Sequence, residues 1–440
     1  MLQKTVTLEK NNVLKITGPA SFVLEKGAVR IFGFKAKPPF KYVVPSYKSL
    51  PLVASEKSCL NIVLGEGASV SIVEKDTINV WEDLVGNILK LNKPLVIITI
   101  GTVDSGKSSL TLLIANTAVN MGYKTSIIDA DIGQADIGPP TFITLGVLDK
   151  QVVSLTEVKP ATYSFIGTTT PYRVMDKVIA AILKLLAKAF NLGSQVIIIN
   201  TDGWFKGRKA VEAKLQTIFH VKPHVVFIIK KENCVNEADM LFNYLNRFNI
   251  NTIVIESPKD IKERSISERR SIREYLYSKY FYGAKIVDLD LKNLVIMNLD
   301  VLKGKFLSHE EKEVLKEVLS LKPDMEILHA TMVNNNLIAV VKGGTVIVDS
   351  NVLRNIKETY GQIRLKVLSE NWEKGLVVSI LNENLEEAGI GYIEKIDFEK
   401  GIVRIRTNYG GRICGLIVGN IRLMYDEKTH TVREWGKWCL

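Results

Sequence analysis

Eight consecutive residues, Gly101-Thr102-Val103-Asp104-Ser105-Gly106-Lys107-Ser108, have the types and spacing of a loop that cradles phosphates, and Ser109 extends it. In such a loop the backbone N–H groups and the positive end of the following helix face the anion. Lys107 would reach the β- and γ-phosphates, and the Ser108 hydroxyl would hold Mg²⁺ or another divalent cation. The chemistry implied is binding of a nucleoside triphosphate, ATP or GTP. The loop alone does not say what becomes of it.

Carboxylates come next. Asp129-Ala130-Asp131-Ile132-Gly133-Gln134 closes a short apolar run, so two acids and an amide lie at one strand end. Alternation along a strand turns Asp129 and Asp131 the same way, toward the phosphate site. Asp129, with Ser108, would serve the cation directly or through water, and a second carboxylate could take a proton from an attacking hydroxyl. An Asp-rich turn capping the next helix is the plainer alternative. Phe165 to Pro171 (FIGTTTP) ends in a hydroxyl-rich turn, with Thr170 just before the proline, suited to phosphate contacts. Thr201-Asp202-Gly203-Trp204 follows another apolar run, and its indole could stack on a base or simply cover the core. Ser265 and Glu268 have capping-box spacing, which starts a helix near Ile266 and sets Arg269 and Arg273 one turn apart on one face. Two guanidinium groups so placed would offset charge on a transferring phosphoryl group, with a solvated basic helix as the competing reading.

These residues need a frame that gathers them. Pro94 to Ile100 (PLVIITI) reads as a buried strand before the loop, and 109–121 as the helix after it. Thr125–Asp129, Gln195–Asn200, His224–Ile229 and Thr252–Ile255 read as further short strands, with helical stretches at 174–190, 208–219 and 236–248 between them. The grammar is α/β with a mainly parallel sheet, in which ligands gather at the carboxyl edge of the strands. Before it, short alternating runs such as 28–32 and 69–73 predict a small antiparallel β domain. After it, a helix opened by the capping-box pair Ser308 and Glu311 leads into a mostly β domain. The expected division is 1–92, 93–284 and 285–440.

The 440 residues, 46% of them hydrophobic, are enough for several cores. A net charge of +11 favours an anionic partner, nucleic acid foremost. Cys59, Cys234, Cys414 and Cys439 form no C-x-x-C unit, which argues against a zinc or disulfide framework and fits a reducing cytosol. No basic-then-apolar leader opens the chain, and no apolar run nears the roughly 20 residues that cross a bilayer. A soluble cytoplasmic protein without membrane contact is expected.

Taken together, these segments resemble the polynucleotide 5′-hydroxyl kinase family, whose eukaryotic members serve in messenger-RNA 3′-end processing, tRNA splicing and ribosomal-RNA maturation. The resemblance rests on D-x-D-x-G-Q at 129–134, T-x-G-W at 201–204 and R-x-x-x-R at 269–273, behind the phosphate loop, and spans about 95–283. It implies transfer of a γ-phosphate to the 5′-hydroxyl of RNA, with DNA as a further acceptor. It also implies Asp131 as general base, Gln134 and Trp204 as acceptor contacts, and Thr170 near the accepted phosphate. Arg269 and Arg273 become a lid over the triphosphate, and RNA-processing proteins become expected partners. Asp202 departs from easy expectation, because it puts a negative charge beside an anionic acceptor. The competing reading is a nucleotide-binding scaffold subunit of an RNA-processing complex with little or no turnover.

Overall fold

The computed structural model describes residues 2–46, 48–73, 77–258 and 263–438, so Cys439 lies outside the described residues. At its centre is a seven-stranded sheet. Its strands are β1 (Leu95–Gly101), β2 (Thr125–Ala130), β3 (Phe142–Leu148), β4 (Pro160–Phe165), β5 (Val196–Thr201), β6 (Val225–Lys230) and β7 (Thr252–Glu256). They lie in the order β4-β3-β2-β5-β1-β6-β7. The five strands from β2 to β7 in that order pair in parallel, whereas β3 and β4 continue the sheet antiparallel. The mainly parallel α/β sheet is as the sequence implied; the antiparallel pair is an addition. Five helices accompany it: α1 (Lys107–Asn120), α2 (Met175–Asn191), α3 (Arg208–Val221), α4 (Val235–Arg247) and α5 (Ile266–Phe281).

The β-branched runs explain why the sheet is buried on both faces. In β1, Leu95 and Ile97 enter one core while Val96, Ile98 and Ile100 enter the other. The second core is closed by apolar stripes on α2, α3 and α4, such as Val178, Ile182 and Leu185. The first core takes in α1 through Leu110, Leu113 and Ile114, and runs on without a break into the N-terminal strands. Those strands form a four-stranded and a five-stranded antiparallel sheet. One polar side chain pins the two parts together. Asn116, fully buried on α1, donates to the carbonyls of Phe32 and Val152 (both 2.8 Å) and accepts from the Val152 N–H (2.9 Å).

Contacts divide the chain into two compact units, Met1–Leu276 and Tyr277–Leu440. The second unit is β-rich, with a seven-stranded and a four-stranded sheet and the helices His309–Val318 and Ser350–Tyr360. The expected capping box is present, Ser308 bonding the Glu311 N–H while Glu311 bonds back. No helix among the described residues is long and apolar enough to cross a membrane.

Candidate active site

The phosphate loop leaves β1 at Gly101 and turns through Asp104 (φ 53°) and Gly106 (φ 101°) before α1 begins at Lys107. Gly106 takes that left-handed conformation without a Cβ penalty and brings no capping side chain. The first-turn N–H groups of α1 are thereby left for an anion. Lys107 is 6% exposed, and its Nζ curls back to donate to the Thr102 carbonyl at 2.7 Å. Burial draws its pKa down to about 8, against the pull of the Asp131 charge. A cleft of about 170 Å³ opens here, bordered by Val103 to Ser109, by Asp131, Gln134 and Asp136, by Arg264, and by Phe32, Tyr42 and Lys48 from the N-terminal strands.

The two selected aspartates go to different work. Asp131, just past β2, borders the cleft, and its Oδ1 accepts the N–H groups of Gly133 (3.1 Å) and Gln134 (2.9 Å). Burial raises its carboxyl above the ordinary range, and the Lys107 ammonium pulls it back. Asp129 is fully buried and holds the following loop together. Its Oδ2 accepts from the N–H groups of Asp136 (2.7 Å) and Ile137 (2.8 Å), and its Oδ1 from Asn200 Nδ2 (3.1 Å). Burial, helped by the Asp136 charge, raises Asp129 to about 8. Asn200 Nδ2 also reaches Ser108 Oγ at 3.4 Å, which ties Asp129 to the loop hydroxyl at one remove. Asp136, not selected in the sequence, stands at the cleft instead. Its only signal was a third acid shortly after the first two.

The arginine helix begins as expected. Ser265 Oγ accepts the Glu268 N–H (3.1 Å) and Glu268 Oε2 accepts the Ser265 N–H (2.8 Å), so α5 starts at Ile266. Arg269 Nη2 donates to Asp104 Oδ2 at 3.2 Å, and the same oxygen accepts the Arg264 N–H at 3.0 Å. The Arg264 side chain approaches Asp104 as well, with Nε 3.7 Å from Oδ1. Gln134 Nε2 donates to the Arg269 carbonyl at 3.3 Å, joining this helix to the Asp131 turn. Arg273 sits one turn on and is half-buried, whereas Arg270 turns away to Glu274 (3.0 Å). Arg264 was missed in the sequence because it precedes the helix whose spacing singled out the other two.

The T-x-G-W turn follows β5 and presses on the phosphate loop. A Cβ on Gly203 would lie 2.5 Å from Val103 Cγ2, so only glycine fits. Asp202 Oδ1 accepts the Trp204 N–H at 2.8 Å, and its Oδ2 pairs with Lys214 Nζ from α3 at 2.7 Å. Lys214 Nζ also donates to the Asp202 carbonyl at 3.3 Å. With side chains 2% and 7% exposed, the pair sits in the core, and the charge expected to face the acceptor is neutralised from behind. The half-buried Trp204 meets Tyr172 edge-to-face, ring centroids 5.5 Å apart at 90°. Thr170 is exposed just before Tyr172, and its N–H donates to Thr168 Oγ1 at 3.4 Å. A Cβ on Gly133 would lie 2.9 Å from the Thr169 carbonyl, so the threonine turn abuts the Asp131 turn.

Known proteins supply a family for this geometry. The pattern of the family described as mRNA cleavage and polyadenylation factor CLP1 P-loop matches residues 101–283. A polyribonucleotide 5′-hydroxyl-kinase of Pyrococcus furiosus is 31% identical over 322 residues, which cover 73% of this chain and 84% of that protein. One of Methanocaldococcus jannaschii is 29% identical, over 72% of this chain and 82% of its own. The Bos taurus polyribonucleotide 5′-hydroxyl-kinase Clp1 is 30% identical over 200 residues, 42% of this chain and 45% of that one. The solved structure of a Clp1p–Pcf11p complex shares the fold, with a TM-score of 0.63 over 96% of this chain and 98% of that chain at 14% identity.

Proposed function

As the chain belongs to the polyribonucleotide 5′-hydroxyl-kinase family, a family of phosphotransferases, we propose that it moves the γ-phosphate of ATP, or of GTP, onto the 5′-hydroxyl of an RNA strand. DNA ends form a second acceptor class in this proposal. The observation that carries it is the placing of Asp131 at the phosphate-loop cleft, its carboxylate held by two backbone N–H groups. The acceptor oxygen attacks the γ-phosphorus, the bond to the β,γ-bridging oxygen breaks, the hydroxyl proton passes to Asp131, and the nucleoside diphosphate leaves. Little covalent work falls to the protein, so position and charge carry the rate.

Lys107 and the N–H groups from Gly101 to Ser109 bind the phosphates, with Arg269 and Arg273 closing over them as charge moves to the leaving group. Gln134 orients the acceptor end through the Asp131 turn, Thr170 lies near the accepted phosphate, and Trp204 stacks on the terminal base. The donor set suits a hard divalent cation such as Mg²⁺: the Ser108 hydroxyl and the Asp131 and Asp136 carboxylates meet at one cleft. Ser108 with the Asp136 carboxylate would hold it, and Asp129 would act through Asn200 on Ser108. Such a cation would draw charge off the transferring phosphoryl group. The nucleobase end of the cleft falls to Phe32, Tyr42 and Lys48.

The proposal includes a domain division at 1–92, 93–284 and 285–440, a cytoplasmic location and a protein partner. A protein partner is in keeping with the solved structure of similar fold, which was captured with Pcf11p. Transfer of label from γ-labelled ATP to a 5′-hydroxyl oligonucleotide tests the activity, and release of free phosphate alone would favour the scaffold reading.

A further inference from the structure

Tyr172 is a large ring left 46% exposed beside the acceptor end of the site, and no step above uses it. It is held in place on two sides. Trp204 meets it at 90° with centroids 5.5 Å apart, and Lys209 Nζ lies 5.5 Å from its centroid and donates to its hydroxyl at 3.2 Å. Both rings spring from segments that touch the reacting groups: Thr169 abuts Gly133 in the Asp131 turn, and Gly203 abuts Val103 in the phosphate loop. Lys209 stands in the first turn of α3, and Lys206 and Arg208 are exposed next to it. Stacking rings interleaved with cations are what single-stranded nucleic acid sites are made of, because every base has a π-face and every linkage a negative charge.

We propose that the Tyr172–Trp204 corner, with Lys209, is a subsite for the second nucleotide of the acceptor strand. Tyr172 stacks on the second base, and the Lys209 ammonium faces the phosphate that joins it to the first. This deepens the kinase reading and rests on it: the preferred substrate is a single-stranded 5′ end at least two nucleotides long. A lone nucleotide gains no stack from Tyr172, and neither does an end whose second base is locked in a duplex.

Steady-state phosphorylation of a nucleoside 3′-phosphate, a dinucleotide and a hexanucleotide, each with a 5′-hydroxyl, tests this with Tyr172→Ala, Tyr172→Phe and Lys209→Ala. Tyr172→Ala should raise the KM of the two longer acceptors about tenfold, the usual size of one lost stack. It should leave their kcat and both constants for the nucleoside 3′-phosphate unchanged, and Tyr172→Phe, which keeps the ring, should leave the KM of the longer acceptors well below that of Tyr172→Ala. Lys209→Ala should raise the KM of all three acceptors, because the nucleoside 3′-phosphate carries the phosphate that Lys209 faces, and flatten their salt dependence. With Tyr172→Ala, equal losses for all three acceptors, or no loss for any, would overturn the subsite while leaving the kinase standing. A native protein that phosphorylates none of them overturns the kinase reading and the subsite with it.

Discussion

At the scale of single residues, the site depends on which charges are buried and what answers them. Asp202 is tolerable beside an anionic acceptor only because Lys214 meets it in the core. Removing one partner of such a pair leaves an uncompensated buried charge, which costs roughly 3–5 kcal/mol. Lys214→Met should therefore lower unfolding stability by about that much, and adding Asp202→Asn should recover most of it. Denaturant titration of both variants checks this; a loss under about 1 kcal/mol for Lys214→Met would mean that the pair does not matter. The lysine was legible in principle. Ala210, Val211, Lys214, Thr217, Ile218 and Val221 are buried along α3, so a cation sits in an apolar stripe and requires a partner. What the sequence could not reveal was the partner, because Asp202 comes from a different element. Asp136 and Arg264 escaped for the same reason, since only folding brings them to the cleft.

At the scale of elements, contiguous signals were read well and folded-back ones were not. β1, the phosphate loop and α1 form one unbroken run, and the buried parallel strands announce themselves as β-branched stretches. β3 and β4 went unread, since Phe142–Leu148 and Pro160–Phe165 carry a glycine or polar residues that blur the apolar run. Alternation also misjudged the end of β2, where Asp129 is drawn under the 131–137 loop by N–H groups that have no strand partner. The capping box of α5 was legible, and it fixes where Arg269 projects. Asp104 holds that arginine against the phosphate loop, at the place where charge on a triphosphate would be offset. Arg269→Ala should lower kcat by roughly a hundredfold, the size of one lost transition-state donor, with little change in acceptor KM. Steady-state kinetics decides it, and a raised acceptor KM at unchanged kcat would assign the helix to the strand instead.

At the scale of the whole molecule, the N-terminal strands border the phosphate-loop cleft as well as sharing its core. Phe32 borders the cleft with a positive φ of 45°, and its carbonyl is held by the buried Asn116. Asn116→Ala orphans that carbonyl together with both backbone groups of Val152, at roughly 1–3 kcal/mol for each group left without water. It should raise the KM for ATP more than that for RNA, and equal effects would detach these strands from nucleotide binding. The second unit carries its own pH signature. Burial raises the Glu373 carboxyl, against the Ile396 N–H that it accepts at 2.8 Å. An acid with a raised folded pKa binds its proton more tightly when folded, so its contribution is fully present at low pH and is lost as pH rises from about 4.3 through the raised value. Glu373→Gln should flatten that decline in chemical unfolding followed across pH, and an unchanged slope would place the cause elsewhere. The central claim, that Asp131 is the base of a 5′-hydroxyl kinase, is tested most directly by incubating the native chain and Asp131→Asn with γ-labelled ATP and a single-stranded 5′-hydroxyl RNA. Label is expected on the RNA 5′ end with the native chain and almost none with Asp131→Asn, while both bind ATP alike; near-normal transfer by Asp131→Asn would rule out Asp131 as the base.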